Sequence, residues 1–315
     1  MIVQGLRAFL ARCRRDDGGV RPGLKTGYRG TSDTRLSDLA APVYALILEE
    51  TFGFRALDRA RTRRFIGRCR GGDGLYHSRN ASTPIHLVLY DTMQAQLGLR
   101  IIGGNRVPRA GLARTIGAVT RLFTPAVARG FPAYALDFFG QFFAIVNRPV
   151  PRRIARTVWR AYLARLSRGE VGGHVASTFH FVRHALLAGR EVPHARAILD
   201  RTLALQRRNG SWNRMPDRSW DVHATFDGCF IVRQLGARLG WTPGCTRALE
   251  GAARYALSCR NPDGGFGHFP GAVSDVDAAY FQAGTLVLAG ALPARPIPAG
   301  LARVLGWGHV FPAHR

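Results

Sequence analysis

The chain has 315 residues, 45 Lys+Arg against 20 Asp+Glu, a formal net charge of +25 and five cysteines. That length exceeds the usual size of a single hydrophobic core unless the core is spread along repeated units. The odd cysteine count argues against a disulfide framework, residues 1–15 are too charged for a secretory leader, and no apolar run reaches the span of a membrane, so a reducing, cytoplasmic setting is expected. Lys25 is the sole lysine. The arginine excess therefore has three readings: biased codon composition, grip on an anionic ligand or membrane surface, and nucleic-acid binding. Nucleic acid is the least supported, because the basic residues are dispersed and no zinc finger, RNA-binding signature or basic zipper is present.

In chain order, turn phrases alternate with segments of helix length. Residues 1–15 read as an amphipathic outer helix running into Cys13-Arg-Arg-Asp-Asp17-Gly18-Gly19-Val20, with an apolar helix at 34–50 after it. Cys69-Arg-Gly-Gly-Asp73-Gly74-Leu75-Tyr76 precedes an apolar helix at 83–99. Apolar segments follow at 133–146 and 174–188, with degenerate copies of the phrase expected around 118–146 and 156–189. Gln206-Arg-Arg-Asn209-Gly210-Ser211-Trp212 precedes 221–235, and Cys259-Arg-Asn-Pro-Asp263-Gly264-Gly265-Phe266 precedes 278–291. The spacing is 56 residues from Asp17 to Asp73 and 54 from Asn209 to Asp263. A period of that size marks one supersecondary unit stacked on its neighbours.

Asp or Asn before Gly suits a turn at a helix end, since Gly reaches positive φ without steric cost. The phrases thus read as connectors, with Trp212 and Phe266 wedged between units. Several segments after the turns are apolar nearly all round and should be buried. Their companions at 152–165, 195–206 and 246–257 carry charge on one face and should lie outside. The pattern predicts an all-α fold: an α/α toroid of about six helical hairpins, with inner and outer helix rings, as one domain over 1–315.

The phrase Cys259–Phe266 followed by Ser274-Asp275-Val276-Asp277-Ala278-Ala279 resembles the prenyltransferase and squalene-oxidase repeat, which builds the toroid of protein prenyltransferase β subunits and class II terpenoid cyclases. The resemblance implies an Asp-x-Asp-Asp motif whose central Asp donates a proton to an alkene or epoxide. Asp275-Val276-Asp277 matches it, with Ala278 in place of the last Asp. Asp277 is then the proton donor and Asp275 its tuning partner. The prenyltransferase side implies zinc held by Asp, Cys and His. Placing its Asp-Gly-Cys on Asp263-Gly264-Gly265, and its His near Tyr280, removes those ligands, so no metal and no cofactor are expected.

The repeat supplies further candidates. Twelve residues separate Asn209 from Asp221 and Asp263 from Asp275, so Asp221 matches Asp275 and His223 matches Asp277. His223 is therefore a third catalytic candidate. Asp221 and Asp275 also suit helix N-caps, and Asp33 and Asp38 suit first-turn or capping roles. Protonating an alkene needs an acid in an apolar cavity. Asp221, Phe226, Phe230, Tyr280, Phe281, Phe142 and His180 are the expected substrate-binding residues, the aromatic faces being suited to a carbocation or an isoprenoid tail. His180 and His184 share one helix face, which fits a satisfied core pair or a polar cavity wall better than a metal site. Arg14, Arg15, Arg68, Arg70, Arg207, Arg208 and Arg260 recur at turns, as a solvated edge or a rim for a diphosphate.

Two readings follow. One is a terpenoid-cyclase-like enzyme acting on an isoprenoid or other apolar small molecule, with or without a diphosphate. The other is a non-catalytic toroid binding an isoprenoid or a protein partner. A prenyltransferase-like protein lacking the zinc site is third. Peripheral membrane contact remains open, and no nucleic-acid partner is expected.

Overall fold

The computed structural model describes residues 1–28, 37–79, 84–213 and 222–305. Fourteen α-helices, one 3₁₀ turn and a two-residue hairpin lie among them. Six helices form an inner ring: α2 (Ala40–Phe52), α4 (Ile85–Ile102), α7 (Asp137–Ile145, entered through the 3₁₀ turn Ala133–Leu136), α9 (Val175–Leu187), α11 (Val222–Leu239) and α13 (Val276–Leu288). Each packs on the next, and α13 packs back on α2, which closes the ring. The toroid expected from the sequence is the observed fold, with six hairpins.

The outer ring is α1 (Ile2–Cys13), α3 (Arg59–Arg68), the pair α5 (Leu112–Leu122) and α6 (Pro125–Gly130), α8 (Arg152–Leu163), α10 (Ala195–Ala204) and α12 (Pro243–Ser258). Inner helices bury almost every residue. In α13, eleven of thirteen are buried, whereas α8 buries only Ile154, Val158 and Tyr162. All-round apolarity and one-faced charge therefore sort helices to the inside and the outside.

The connectors explain the repeat. Gly18, Gly74, Gly210 and Gly264 have φ of 90°, 89°, 91° and 90°. In each phrase the Asp or Asn side chain accepts from the backbone N–H two residues on, and the chain folds back in a short antiparallel bridge in three of them. Each turn then seats on the outer helix of the next unit. A Cβ at Gly210 would stand 2.1 Å from Gly251 O, and one at Gly264 would stand 2.4 Å from Gly5 O. The second contact closes the outer ring, last unit onto first. Gly169 (φ 79°), whose Cβ would meet Ala197 O at 2.5 Å, is a degenerate copy in the fourth unit. Trp212 is fully buried, and its indole donates to Thr202 O at 2.8 Å.

All five cysteines are buried, and Cys13, Cys69 and Cys259 stand at the ends of outer helices where connectors begin. Burial pushes the Cys13 and Cys259 thiols up to about 12, so no thiolate is available there. The turn arginines bridge units: Arg68 donates to Asp17 O at 2.8 Å and Arg70 to Gly111 O at 2.7 Å. For these two the structure assigns a tie between repeats. Among the described residues no helix is long and apolar enough to cross a membrane.

Candidate active site

All six inner helices start at one end of the ring, where the connectors enter. The far end is covered by α14 (Ala299–Leu305). Tyr280 donates to Leu305 O, and Arg100 ties Gly300 O to the carbonyls of Ala144 and Ile145 at the end of α7. Cations at helix C-termini offset the orphan carbonyls there.

Inside the ring, aromatic side chains touch in a closed circuit through all six inner helices. Tyr44 on α2 stacks on Tyr280 at 4.1 Å between centroids. Phe281 meets Phe226 at 5.3 Å, Phe226 meets Phe179 at 5.6 Å, and Phe179 adjoins His180 at 4.9 Å. His180 lies edge-on to Phe138 at 5.6 Å, Phe138 meets Tyr90 at 5.3 Å, and the Tyr90 and Tyr44 hydroxyls share a hydrogen bond. Phe142 and Phe230 are fully buried; Phe142 packs on Phe143 and Phe230 on Phe179.

Above this girdle sits a cluster of titratable groups at the start of α13. Asp275 is the N-cap, its Oδ1 accepting from Ala278 N at 2.8 Å. Its Oδ2 accepts from the Tyr28 hydroxyl at 2.9 Å and lies 3.2 Å from His268 Nε2. Two residues on, Asp277 Oδ2 is 2.8 Å from His223 Nε2 and 3.8 Å from His268 Nε2. Asp275 is 0 % exposed, Asp277 2 % and His268 6 %, while the His223 side chain keeps 23 % of its surface and packs on the Phe281 ring at 4.1 Å. Burial opposes charge on His268, but the Asp275 and Asp277 carboxylates outweigh it and raise its pKa. Tyr28 is raised by burial and by Asp275, so its phenol stays protonated and donates.

The local folding brings these groups together. After Phe266 the chain loops through His268 and returns to pair with Asp275, whose N–H donates to Phe266 O at 3.0 Å. The segment after the first connector lies alongside, with Val276 N donating to Pro22 O at 2.7 Å. First and last units thus meet at the cluster. Of the sequence candidates, Asp275, Asp277 and His223 converge here, and Phe226, Tyr280 and Phe281 lie in the girdle beneath. Asp221 and Asp33 fall outside the described residues. His268 and Tyr28 were not among the candidates. His268 sits in a connector beside Phe266 and Phe269, and a period read only from Asp-Gly turns passes over it.

One nitrogen and two carboxylate oxygens, from His268, Asp275 and Asp277, lie within 4.8 Å of one another and could together hold a metal ion. This donor set is not the one obtained by placing an Asp-Gly-Cys motif at 263–265.

A second buried ionic group lies under His180. Asp137, 0 % exposed, accepts from Arg183 Nε and Gln141 Nε2, both at 2.8 Å, and adjoins His180 Nδ1 at 3.3 Å and His184 Nδ1 at 3.4 Å. Burial works against the Asp137 charge, yet Arg183 and the imidazoles hold its pKa well below the usual range. Burial pushes His180 down to about 4. Both Nδ1 atoms of this histidine pair face Asp137, but among the described residues His184 Nδ1 and Asp137 Oδ1 make no hydrogen bond, so the pair is only partly satisfied.

A family model described as the prenyltransferase alpha-alpha toroid domain matches residues 2–82 and 131–307. No curated protein matches the chain. Among solved structures it is similar to Candida albicans protein geranylgeranyltransferase-I complexed with GGPP, at TM-score 0.68 and 13% identity over 96% of this chain and 95% of that one. It is similar to the type II terpene cyclase MstE from Scytonema in complex with geranylgeranyl dihydroxybenzoate, at TM-score 0.56 and 13% identity over 91% and 95%. A polysaccharide lyase matches at TM-score 0.56 and 13% identity over 92% and 95%. Three different activities on one architecture show that these likenesses carry the fold and not the reaction.

Proposed function

This chain belongs to the prenyltransferase alpha-alpha toroid family, and from that premise we propose that it is an isoprenoid-handling enzyme that cyclises a polyene by protonation at Asp277. The observation that carries the reading is the placement of the Asp277 carboxyl, buried between two imidazoles at the rim of an aromatic girdle. An alkene is a weak base, so its protonation needs an acid shielded from competing water. The Asp277 proton passes to a terminal alkene carbon. The π pair forms the C–H bond, and the cation left on the neighbouring carbon is captured by the next alkene. Loss of a proton at the end makes the overall change an isomerisation.

Each neighbour has a part. His268, kept charged by the Asp275 carboxylate, faces the Asp277 carboxylate that remains once the proton has left. Asp275, itself held by the Tyr28 hydroxyl, keeps His268 in place. His223, partly exposed, links Asp277 to solvent and returns a proton after each turnover. The faces of Phe226, Tyr280 and Phe281 stabilise the cation. The girdle rings touch, so a polyene enters by turning some of them aside. The two nearby neighbours that carry a geranylgeranyl group in their complexes support an isoprenoid ligand for this chain as well.

A second reading rests on the His268–Asp275–Asp277 donor set: a divalent metal there would act as Lewis acid in prenyl transfer. Incubating wild type and Asp277→Asn with polyprenyl diphosphates, squalene and their epoxides, with and without chelator, separates the two. The cyclase reading expects a cyclised product that the variant loses and chelation spares. Loss of product on chelation, with inorganic diphosphate released, favours transfer. No product from any substrate, with an isoprenoid still raising Tm, leaves a binding toroid.

A further inference from the structure

Across the ring from Asp277, three polar side chains meet on three different elements. His86 is in the first turn of α4, Tyr134 in the 3₁₀ turn before α7, and His180 in the second turn of α9. In ring order α13 stands opposite α7, so this group faces the acid cluster over the girdle. The Tyr134 ring is 6.2 Å from His86 and 6.0 Å from His180, and its hydroxyl lies 3.5 Å from His86 Nε2. All three side chains are only partly buried, in a ring whose other inner residues are mostly closed off.

The support beneath His180 says what the group is for. Arg183 Nη2, an obligate donor, lies 3.1 Å from His180 Nδ1. Asp137 Oδ2 lies 3.3 Å from the same Nδ1, so both members of the buried pair address one nitrogen of the ring and leave Nε2 as the atom for a ligand. Burying an ion pair costs several kcal/mol per ion unless its geometry is good. Besides balancing its own charges, this pair fixes the tilt of one imidazole, as groups behind a working histidine commonly do. Burial also lowers His86. The station is therefore two neutral imidazoles and a phenol, with the nearest arginine charge spent on Asp137. Neutral donors suit an uncharged oxygen, whereas a diphosphate needs cations to offset its desolvation.

We infer that His86, Tyr134 and His180 form a head-group site that binds an uncharged oxygen (carbonyl, ether or hydroxyl) of an isoprenoid whose polyene end reaches Asp277. The inference rests on the proposed lumen-binding function. Its test uses the full chain with three probes of matched length: geranylgeraniol, geranylgeranyl diphosphate and the parent C20 hydrocarbon. Affinities are read by calorimetry on wild type, Tyr134→Phe, His180→Phe and His180→Gln, each checked for wild-type helicity. The alcohol should bind wild type about tenfold tighter than the hydrocarbon, the scale of one good hydrogen bond. Tyr134→Phe and His180→Phe should erase that preference without weakening hydrocarbon binding, and His180→Gln, which keeps a donor near Nε2, should restore part of it. Tightest binding by the diphosphate, or a preference unchanged in Tyr134→Phe and His180→Phe, overturns the head-group site and leaves Asp277 chemistry standing. Failure of all three probes to bind overturns both.

Discussion

At the residue scale, the site departs from simple capping. Asp275 caps α13, as its residue type and position suggested, and the same carboxylate binds Tyr28 and adjoins His268. Asp277 lies past the cap in the first turn, where the helix dipole still favours a carboxylate, and its Oδ2 points at two imidazoles. His268 gives this arrangement a pH signature. Its folded pKa is raised above the ordinary 6.5, so the folded state holds its proton more tightly than the unfolded chain. The stabilisation is complete below 6.5 and is lost as pH rises through the raised value. Calorimetric Tm values should therefore fall from pH 6.5 upward in wild type, and the slope should flatten in His268→Gln. Parallel slopes in the two proteins would remove His268 from the charged cluster.

At the element scale, much was legible and some was not. The Asp-Gly phrases were readable because a backbone position at φ near +90° restricts the residue to Gly, leaving a mark in the sequence each time the turn recurs. The inner helices were readable because burial on all sides forbids charge. The offset at α13, which begins at Val276 and not at 278, arose because Asp275 and Asp277 look polar enough to lie before a helix. His268 and Tyr28 were hidden for a different reason. They act through long-range folding of two connectors onto one helix start, and no local period records that. Asp137 and Arg183 were hidden too, since 46 residues separate partners whose pairing depends on α7 packing against α9. The connector account makes a graded prediction for two glycines of equal φ. Gly240→Ala, with nothing within 4 Å of its Cβ, should cost about 1–2 kcal/mol from backbone strain alone. Gly210→Ala, whose Cβ would stand 2.1 Å from Gly251 O, should cost more than about 3 kcal/mol. Urea titrations giving equal losses would show that the turns do not seat on the neighbouring unit.

At the scale of the whole molecule, ring closure makes the site. Asp275 and Asp277 belong to the last unit and His223 to the neighbouring one, and Tyr28 of the first unit joins them through Asp275 only because the last unit returns to the first. The same closure carries the aromatic girdle through all six inner helices, under an acid that faces His86, Tyr134 and His180 from the opposite side of the ring. The net charge of +25 has a partly structural use, since Arg68, Arg70 and Arg100 tie unit to unit through backbone carbonyls. The central claim is that the reaction begins with a proton from Asp277. Its most direct test is turnover of a polyene in D₂O, with products read by mass spectrometry. Protonation by Asp277, whose acid proton exchanges with solvent, should place one deuterium on the former terminal alkene carbon of the cyclised product in wild type, and Asp277→Asn should form none. An unlabelled product appearing with released diphosphate would contradict the account, because the cation would then arise by ionisation and not by protonation.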